Sequence, residues 1–433
     1  MQRVLSTQLP AHAGRTATIA GWIHRRRQLK TVAFLIVRDA AGLTQVVVSE
    51  PEVRAQLAGL TEETVVEVTG RIVANPAAPG GFELVEPGIR PLGDVAVPPP
   101  FDLYRPVLNA ALPTRLDAAQ VALRHPSHSA ALRLSAAATA GFRSTLDGLG
   151  FVEIYTPKIV ASATESGANV FGIDYFGREA YLAQSPQFYK QLMVGVFERV
   201  YEVGPVFRAE PHDTVRHLAQ YTSLDVEFGF ITDHRDVMAL LREVLAGMLA
   251  SLGERAPGAL ATLGARPPAV PAEIPAVHFT EALDIAGKAV GADLAGEPDL
   301  APAHERALGE WARRVHGSDF VFVIGYPMAK RPFYTHPEPG RPAYSNGFDL
   351  IFRGVELVTG GQRLHRYDDY VAALAERGEP LEPYESYLAA FRHGMPPHGG
   401  FAIGLERFVA QLVGAGNVRE VTAFPRDLNR LTP

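Results

Sequence analysis

The chain lacks cysteine altogether, and no apolar run approaches the ~20 residues that a membrane-spanning helix needs. Without thiols it has neither disulfides nor thiolate metal sites, which suits a reducing compartment. Its opening stretch, MQRVLSTQLPAHAGRTATIAGW, does not pair a charged region with an apolar one as a secretory signal does. We therefore expect a cytoplasmic protein with no membrane contact.

Positive charge is not in excess either. The 433 residues include 41 Lys and Arg against 47 Asp and Glu, a net charge of −6. This balance argues against a generally basic nucleic-acid binder but leaves a local basic patch open. Neither G-x-x-x-x-G-K-[ST] nor G-x-G-x-x-G occurs, so P-loop and Rossmann nucleotide sites lack support. A hydrophobic content of 47% allows sizeable cores, and the length predicts two or three domains.

The first hundred or so residues have the texture of a small all-β unit. Short alternating runs separated by turn residues predict five strands, at 17–24, 33–39, 44–48, 65–73 and 82–92. Five short strands in this length suggest a Greek-key barrel such as an OB-fold. The proline-dense stretch VAVPPPFDLYRP ends the unit near residue 105, and residues 106–131 look like a polar connector.

Residues 132–433 alternate strands with segregated helices, which predicts an α+β domain built on a largely antiparallel sheet flanked by helices. Residues 253–276 are rich in Pro, Ala and Gly and are expected to form a surface insertion. The main predictions are helices at 129–148, 236–252, 301–316, 366–376, 384–393 and 405–413, and strands at 201–207, 222–230, 320–324, 347–352, 354–359 and 400–404.

A basic, aromatic segment lies in the predicted barrel. Between Gly21 and Arg38 there is no acidic residue, and the aromatic residues Trp22 and Phe34 alternate with five cations, namely Arg25, Arg26, Arg27, Lys30 and Arg38. Cations bind phosphates and aromatic faces stack on unpaired bases, so the segment is a candidate surface for single-stranded RNA. The alternative is a solvated charged face with both aromatic residues in the barrel core.

Three further clusters carry charge where apolar residues are expected. A predicted hairpin, YEVGPVFRAEPHDTVRHLAQYTSLDVEFGF, contains Arg208, Glu210, Arg216, His217 and Asp225. Arginines on rigid strands could grip phosphates, although structural salt bridges are the common alternative. The stretch GVELVTGGQR places carboxylate and hydroxyl oxygens, which suit Mg²⁺, before a Gly-Gly break. The stretch HGGFAIGLERF is a glycine-rich strand that leads into a helix.

In order along the chain, these motifs resemble those of a class II aminoacyl-tRNA synthetase of the compact archaeal and eukaryotic aspartyl type. FVEIYTPKI resembles motif 1, VFRAEPHDTVRH with DVEF resembles motif 2, and GGFAIGLERF resembles motif 3. The resemblance covers essentially the whole chain. It implies a six-stranded antiparallel catalytic sheet, an N-terminal OB-fold that reads the anticodon, and a homodimer built partly around Pro157 of motif 1.

The resemblance also implies an aspartate pocket. LAQSPQFYKQ matches the pattern whose lysine contacts the substrate side-chain carboxylate, and an amide substrate would leave that cation unpaired. TESGA resembles the loop that closes over the amino acid. A surface helix lysine remains the alternative for Lys190. The residues implied to bind aspartate are Glu165, Gln187, Lys190, Arg208, Asp225, Thr359 and Arg363.

For ATP the resemblance implies a catalytic set of Arg208, Glu356 and Arg407. Arg208 would bind the α-phosphate, while Tyr221 and Arg407 would enclose the adenine. Glu356 and Thr359 would hold Mg²⁺, with Thr359 standing where serine is commoner. The full set implied to bind ATP is Arg208, Glu210, Arg216, His217, Tyr221, Glu356, Gly404 and Arg407.

The implied function is ATP-dependent attachment of L-aspartate to tRNA(Asp), and whether tRNA(Asn) is also charged stays open. The anticodon residues implied by the resemblance are Arg25, Arg26, Phe34, Gln45 and Glu83. Two alternatives remain: an asparaginyl-tRNA synthetase, disfavoured by Lys190, and a non-catalytic RNA-binding relative, which predicts loss of a nucleotide-binding residue.

Overall fold

The computed structural model describes residues 3–161, 169–211 and 213–432. The chain forms two compact units, Met1–His125 and Pro126–Pro433. In the residues described, no helix is both long and apolar enough to cross a membrane.

The first unit is a closed five-stranded barrel in the order β1-β2-β3-β5-β4. Alternating valine, isoleucine and leucine side chains fill its core, as the period-two pattern predicts. The predicted and observed strands agree within a few residues at each end. The elements are β1 (Thr16–Gln28), β2 (Ala33–Arg38), β3 (Leu43–Val48), α1 (Pro51–Ala58), β4 (Val65–Ala74) and β5 (Phe82–Pro91).

The stretch expected as a polar connector has its own structure. It contains the short helices α2 (Leu112–Asp117) and α3 (Ala119–Ala122), and Leu108 and Ala122 are buried in a small apolar cluster. Helix α4 (Pro126–Gly148) begins inside the expected connector, because Ala130 and Ala131 already pack against the core of the second unit.

The second unit is organised around one eight-stranded sheet, in the order β12-β13-β16-β17-β18-β11-β10-β6. Its inner six strands pair antiparallel, as the resemblance implies, and one strand pairs parallel at each edge. The strands are β6 (Val152–Glu153), β10 (Arg199–Phe207), β11 (Gln220–Gly229), β12 (Ala276–His278), β13 (Phe320–Ile324), β16 (Gly347–Phe352), β17 (Val355–Gln362) and β18 (His398–Gly404).

Among the residues described, the unit also contains two smaller sheets and eight further α-helices. The small sheets are β7 (Ile159–Val160) with β8 (Gly172–Tyr175) and β9 (Arg178–Leu182), and β14 (Pro337–Glu338) with β15 (Arg341–Ser345). The helices are α5 (Gln187–Phe197), α6 (His234–Arg255), α7 (Pro257–Leu263), α8 (Phe279–Val290), α9 (Pro302–His316), α10 (Tyr367–Arg377), α11 (Glu385–Leu388) and α12 (Leu405–Val413).

One sequence expectation fails in this unit. Residues 253–276 are not simply a surface insertion, because α7 follows α6 directly and Ala256, Ala259 and Ile274 are buried in the main core. The Pro, Ala and Gly content of this stretch predicted a surface insertion because small residues are common in loops. Small residues also allow helices to pack closely. Helix α4 approaches α6 so closely that a Cβ at Gly247 would lie 1.9 Å from the Thr145 hydroxyl oxygen.

Candidate active site and nucleic-acid surface

One face of the central sheet carries two adjoining cavities, of about 280 and 480 Å³. The charges of the β10–β11 hairpin reach them because side chains alternate along β11. Ser223 and Asp225 face the cavities, whereas Leu224 and Val226 point into the core. Both cavities share a lining of Arg208, Tyr221, Ser223, Thr359 and Ala402.

The smaller cavity brings together every residue that the sequence assigns to ATP. Arg208, which directly follows β10, has its guanidinium carbon 5.8 Å from the centre of the Tyr221 ring. Arg407, in the first turn of α12, donates from Nη1 to the Glu356 carbonyl oxygen at 2.9 Å. The predicted members that line this cavity are Arg208, Glu210, Arg216, His217, Tyr221, Glu356, Gly404 and Arg407.

Arg216 is held by a residue that sequence reasoning missed. Its Nη1 donates to both carboxylate oxygens of Glu305, at 2.9 and 3.0 Å. Glu305 is only 3% exposed and also accepts from the backbone N–H of Glu356 at 2.8 Å. One carboxylate from α9 therefore contacts both the motif 2 loop and β17.

Thr359 adjoins a second acid that was missed, Asp349. The two residues are opposite each other in the β16–β17 pair, and their side chains are hydrogen-bonded. Burial raises the pKa of Asp349; the charge of Arg331 opposes this and that of Glu356 adds to it. The sequence signal for Asp349 is a single charge in the apolar strand GFDLIF. Thr359 lines both cavities and Glu356 the smaller one, whereas Asp349 is buried behind Thr359 and lines neither.

The larger cavity is lined by Gln187, Lys190, Asp225 and Arg363, all predicted to bind the amino acid. Lys190 is 1% exposed, so the alternative of a surface helix lysine is wrong. Its Nζ lies 3.0 Å from Asp225 Oδ1 and 3.4 Å from Glu227 Oε2.

Glu227, which was not among the predicted site residues, joins the two predicted cations. Arg363 Nε donates to Glu227 Oε1 at 3.0 Å. Burial alone would raise the pKa of Glu227, but the charges of Arg363 and Lys190 outweigh it and hold the pKa below its usual range. A Cβ at Gly400 would lie 2.0 Å from the Val226 carbonyl oxygen and 2.3 Å from Glu227 Oε2, so this motif 3 glycine makes room for the neighbouring strand and its carboxylate.

Of the other predicted residues, Glu165 falls outside the described part of the chain. Pro157 lines a separate shallow cavity of about 350 Å³ with Tyr155, Tyr189 and Met193. Tyr155 is 81% exposed, a large fraction for an aromatic side chain, which marks this region as a candidate contact surface.

The barrel carries its own cavity, of about 210 Å³, lined by Arg25, Arg27, Phe34, Ile36 and Gln45. Glu83 reaches this group through Gln45, whose Nε2 donates to it at 2.7 Å. Arg26 is not part of the cavity, because its Nη1 donates to the Leu57 carbonyl at 2.9 Å. The alternation of β1 explains this arrangement, since Arg25 and Arg27 share a face that Arg26 does not.

Comparisons with known proteins agree with this architecture. Residues 111–428 match the family model of tRNA synthetases class II (D, K and N), and residues 17–92 match the OB-fold nucleic acid binding domain. The chain is 46% identical to the aspartate–tRNA(Asp/Asn) ligase of Deinococcus radiodurans, covering all of this chain and 99% of that one. It is 44% identical to the enzyme of the same name from Thermus thermophilus, with both chains covered in full.

Solved structures give the same picture. Asparaginyl-tRNA synthetase from Pyrococcus horikoshii, complexed with asparaginyl-adenylate, superposes with a TM-score of 0.92 at 29% identity, and both chains are fully covered. Aspartyl tRNA synthetase from Entamoeba histolytica gives 0.88 at 28% identity, covering all of this chain and 93% of that one. The chain therefore belongs to the class II tRNA synthetases and, within them, to the aspartate–tRNA ligases.

Proposed function

We propose that this protein activates L-aspartate with ATP and transfers it to the 3′ end of tRNA(Asp). The observation that supports this most is the position of Arg208, which lines both cavities. A guanidinium there can neutralise the α-phosphate of a nucleotide and the α-carboxylate of an amino acid together. Without that charge the two anions would repel each other as they approach.

In the first step the α-carboxylate oxygen attacks the α-phosphorus of ATP, the bond to the bridging oxygen breaks, and pyrophosphate leaves. The protein positions the reactants in line and stabilises charge on the phosphoryl oxygens. Tyr221 and Arg407 enclose the adenine, and Glu210 accepts from its amino group. Arg216 and His217 bind the outer phosphates.

Mg²⁺ fits the residues present. One or two carboxylates with phosphate oxygens and water are its usual ligands, and Glu356, Thr359 and the nearby Asp349 supply carboxylate and hydroxyl oxygens. Glu356 and Thr359 would hold the ion, which would neutralise phosphate charge when bound.

In the second step a ribose hydroxyl at the tRNA 3′ end attacks the activated carbonyl, and AMP leaves. The phosphate of the adenylate serves as the base that accepts the hydroxyl proton. Arg25, Phe34 and Gln45 contact the anticodon loop, and two copies of the chain associate around Pro157.

The substrate is aspartate because two buried cations, Lys190 and Arg363, border its pocket. Both cations already pair with Asp225 or Glu227, and a β-carboxylate would add charge-assisted hydrogen bonds to them that an uncharged amide cannot match. The fold likeness to an asparaginyl-tRNA synthetase keeps asparagine as the second candidate. Because the similar enzymes from Deinococcus and Thermus are named for both tRNAs, we propose that tRNA(Asn) is charged with aspartate as well.

The deciding experiment is ATP–pyrophosphate exchange with each amino acid. Exchange that depends on aspartate and not on asparagine is expected, and the reverse would replace the proposal. Aminoacylation of tRNA(Asp) and tRNA(Asn) transcripts, measured side by side with aspartate, then decides the tRNA range. Exchange with neither amino acid would favour a non-catalytic relative.

A further inference from the structure

A chain of hydrogen bonds leads from a turn of the barrel to Gln45, which lines the barrel cavity, and the chemistry of each group fixes which atom donates. It starts at the backbone N–H of Ala77, which donates to Asn75 Oδ1 at 3.0 Å. Asn75 must then present its amide nitrogen elsewhere, and Nδ2 donates to Glu83 Oε2 at 2.8 Å. Gln45 Nε2 donates to the same oxygen at 2.7 Å.

An ionised carboxylate can only accept hydrogen bonds, so the Gln45 atom that faces Glu83 must be its nitrogen. Its carbonyl oxygen, Oε1, accepts no hydrogen bond from the residues described, and Gln45 lines the cavity beside Arg25, Arg27 and Phe34. The parallel pairing of Gln45 with Glu83 between β3 and β5 keeps the two side chains adjacent.

A single acceptor beside guanidinium donors selects among pyrimidines. Uracil presents a ring N–H between two carbonyl oxygens, so its edge complements one acceptor flanked by donors. Cytosine presents an unprotonated ring nitrogen at the same place. That nitrogen and the Gln45 oxygen are both hydrogen-bond acceptors, so they would repel each other. Phe34 supplies a stacking face that is indifferent to which base is bound.

We infer that Asn75 is a positioning residue for base selection. By holding the Glu83 carboxylate in place next to Gln45, it keeps the Gln45 amide oriented so that the cavity accepts uracil and rejects cytosine. The inference rests on the proposed function, in which Arg25, Phe34 and Gln45 contact the anticodon loop, and it assigns the central anticodon base to this cavity. The genetic code places uracil at that position in both tRNA(Asp) and tRNA(Asn). Asn75 itself does not line the cavity and touches no base.

The test compares kcat/KM for aspartylation of two tRNA(Asp) transcripts, with uracil or cytosine at the central anticodon position. For N75A we expect the uracil preference to fall by about tenfold, the factor for one hydrogen bond between uncharged groups. N75D retains a side-chain oxygen that accepts from the Ala77 N–H, so the turn at residues 75–77 is kept. An aspartate has no amide nitrogen, so it cannot donate to Glu83. N75D should lose the preference at least as fully as N75A.

The matched control is Q56A, which removes a barrel amide that donates to the Ile89 carbonyl at 3.1 Å, away from the cavity. It should keep the wild-type preference. If both transcripts lose activity equally in N75A and N75D, Asn75 has only a structural role and the inference is overturned. An unchanged preference would overturn it as well. Exchange with aspartate, which needs no tRNA, is measured on every variant, so failure of the proposed function is seen separately.

Discussion

Lys190 and Asp225 form an ion pair that is almost wholly buried, with 3.0 Å between Nζ and Oδ1 and 2% of each side chain exposed. Glu227 lies on the other side of the same ammonium group, at 3.4 Å. The lysine that the resemblance assigns to substrate recognition therefore also balances two buried carboxylates. Its removal should affect stability as well as activity.

We predict that K190M abolishes aspartate-dependent exchange and lowers the free energy of unfolding by about 3–5 kcal/mol, the cost of leaving buried charge unpaired. Urea denaturation measures the second effect. K288M is the control, because Lys288 is exposed on α8 and its loss should change the free energy of unfolding by less than about 0.5 kcal/mol. A K190M protein as stable as wild type would show that the pair contributes little.

The Glu305–Arg216 contact predicts an effect confined to ATP. In E305Q a neutral amide replaces the carboxylate that accepts from Arg216, so this arginine is held less firmly at the proposed site of the outer phosphates. The KM for ATP in the exchange assay should rise about tenfold, while the KM for aspartate stays constant. E310Q, an exposed position on the same helix, should behave as wild type. An equal rise in both KM values would instead indicate general distortion of the site.

Much of this site could be predicted because strand periodicity and ordered motifs are local in sequence. The β10–β11 hairpin and its charges lie within one continuous stretch, so alternation along β11 already separates Asp225 from Val226. The same rule, applied to β1, puts Arg27 on the face of Arg25, which lines the barrel cavity, and Arg26 on the other face.

The remaining residues could not be found this way because the topology brings them in from distant segments. Glu305 is 89 positions from Arg216 and belongs to a helix without any motif. Glu227 belongs to the β10–β11 hairpin, but its hydrogen bond to Arg363 joins residues 136 positions apart. A single sequence gives the residue types but not the pairings across the sheet, and these pairings determine which acids are ionised.

Thr359 provides a test of the proposed magnesium site. T359S keeps the hydroxyl and should retain the wild-type Mg²⁺ dependence of exchange. T359V keeps the shape but removes an oxygen, so the Mg²⁺ concentration for half-maximal exchange should rise by about tenfold, as for loss of one supporting ligand. A magnesium titration at saturating ATP and aspartate measures this. If T359V titrates like wild type, the metal is held without Thr359.

Tyr155 provides a test of the proposed homodimer. An aromatic side chain that is 81% exposed next to Pro157 is costly to leave in water, and a partner surface would cover it. We expect the wild type to sediment as a dimer at micromolar concentration and Y155R to shift towards the monomer. V315R is the control, since Val315 is 56% exposed on α9, outside the motif 1 surface. A wild-type monomer, or a Y155R dimer as tight as wild type, would contradict the assignment.

His398 predicts how stability depends on pH. Its Nδ1–H donates to the Pro396 carbonyl at 2.9 Å, so Nε2 is left to accept from the Gln191 amide, also at 2.9 Å. Complete burial, reinforced by the charge of Arg363 and opposed by that of Glu227, lowers the pKa of His398 from 6.5 to about 4. The folded protein therefore holds this ring neutral well into acidic solution.

Above pH 6.5 both folded and unfolded chains have a neutral ring, and His398 does not alter the pH dependence. As the pH falls from 6.5 towards 4, the unfolded chain gains a proton that the folded chain does not, so the free energy of unfolding decreases. At pH 5 the loss is about 2 kcal/mol. Urea denaturation at pH 7 and pH 5 should show this loss in wild type and in H316Q, whose histidine is exposed. H398Q should lose about 2 kcal/mol less over the same interval; an equal loss would mean that His398 is protonated in the folded state.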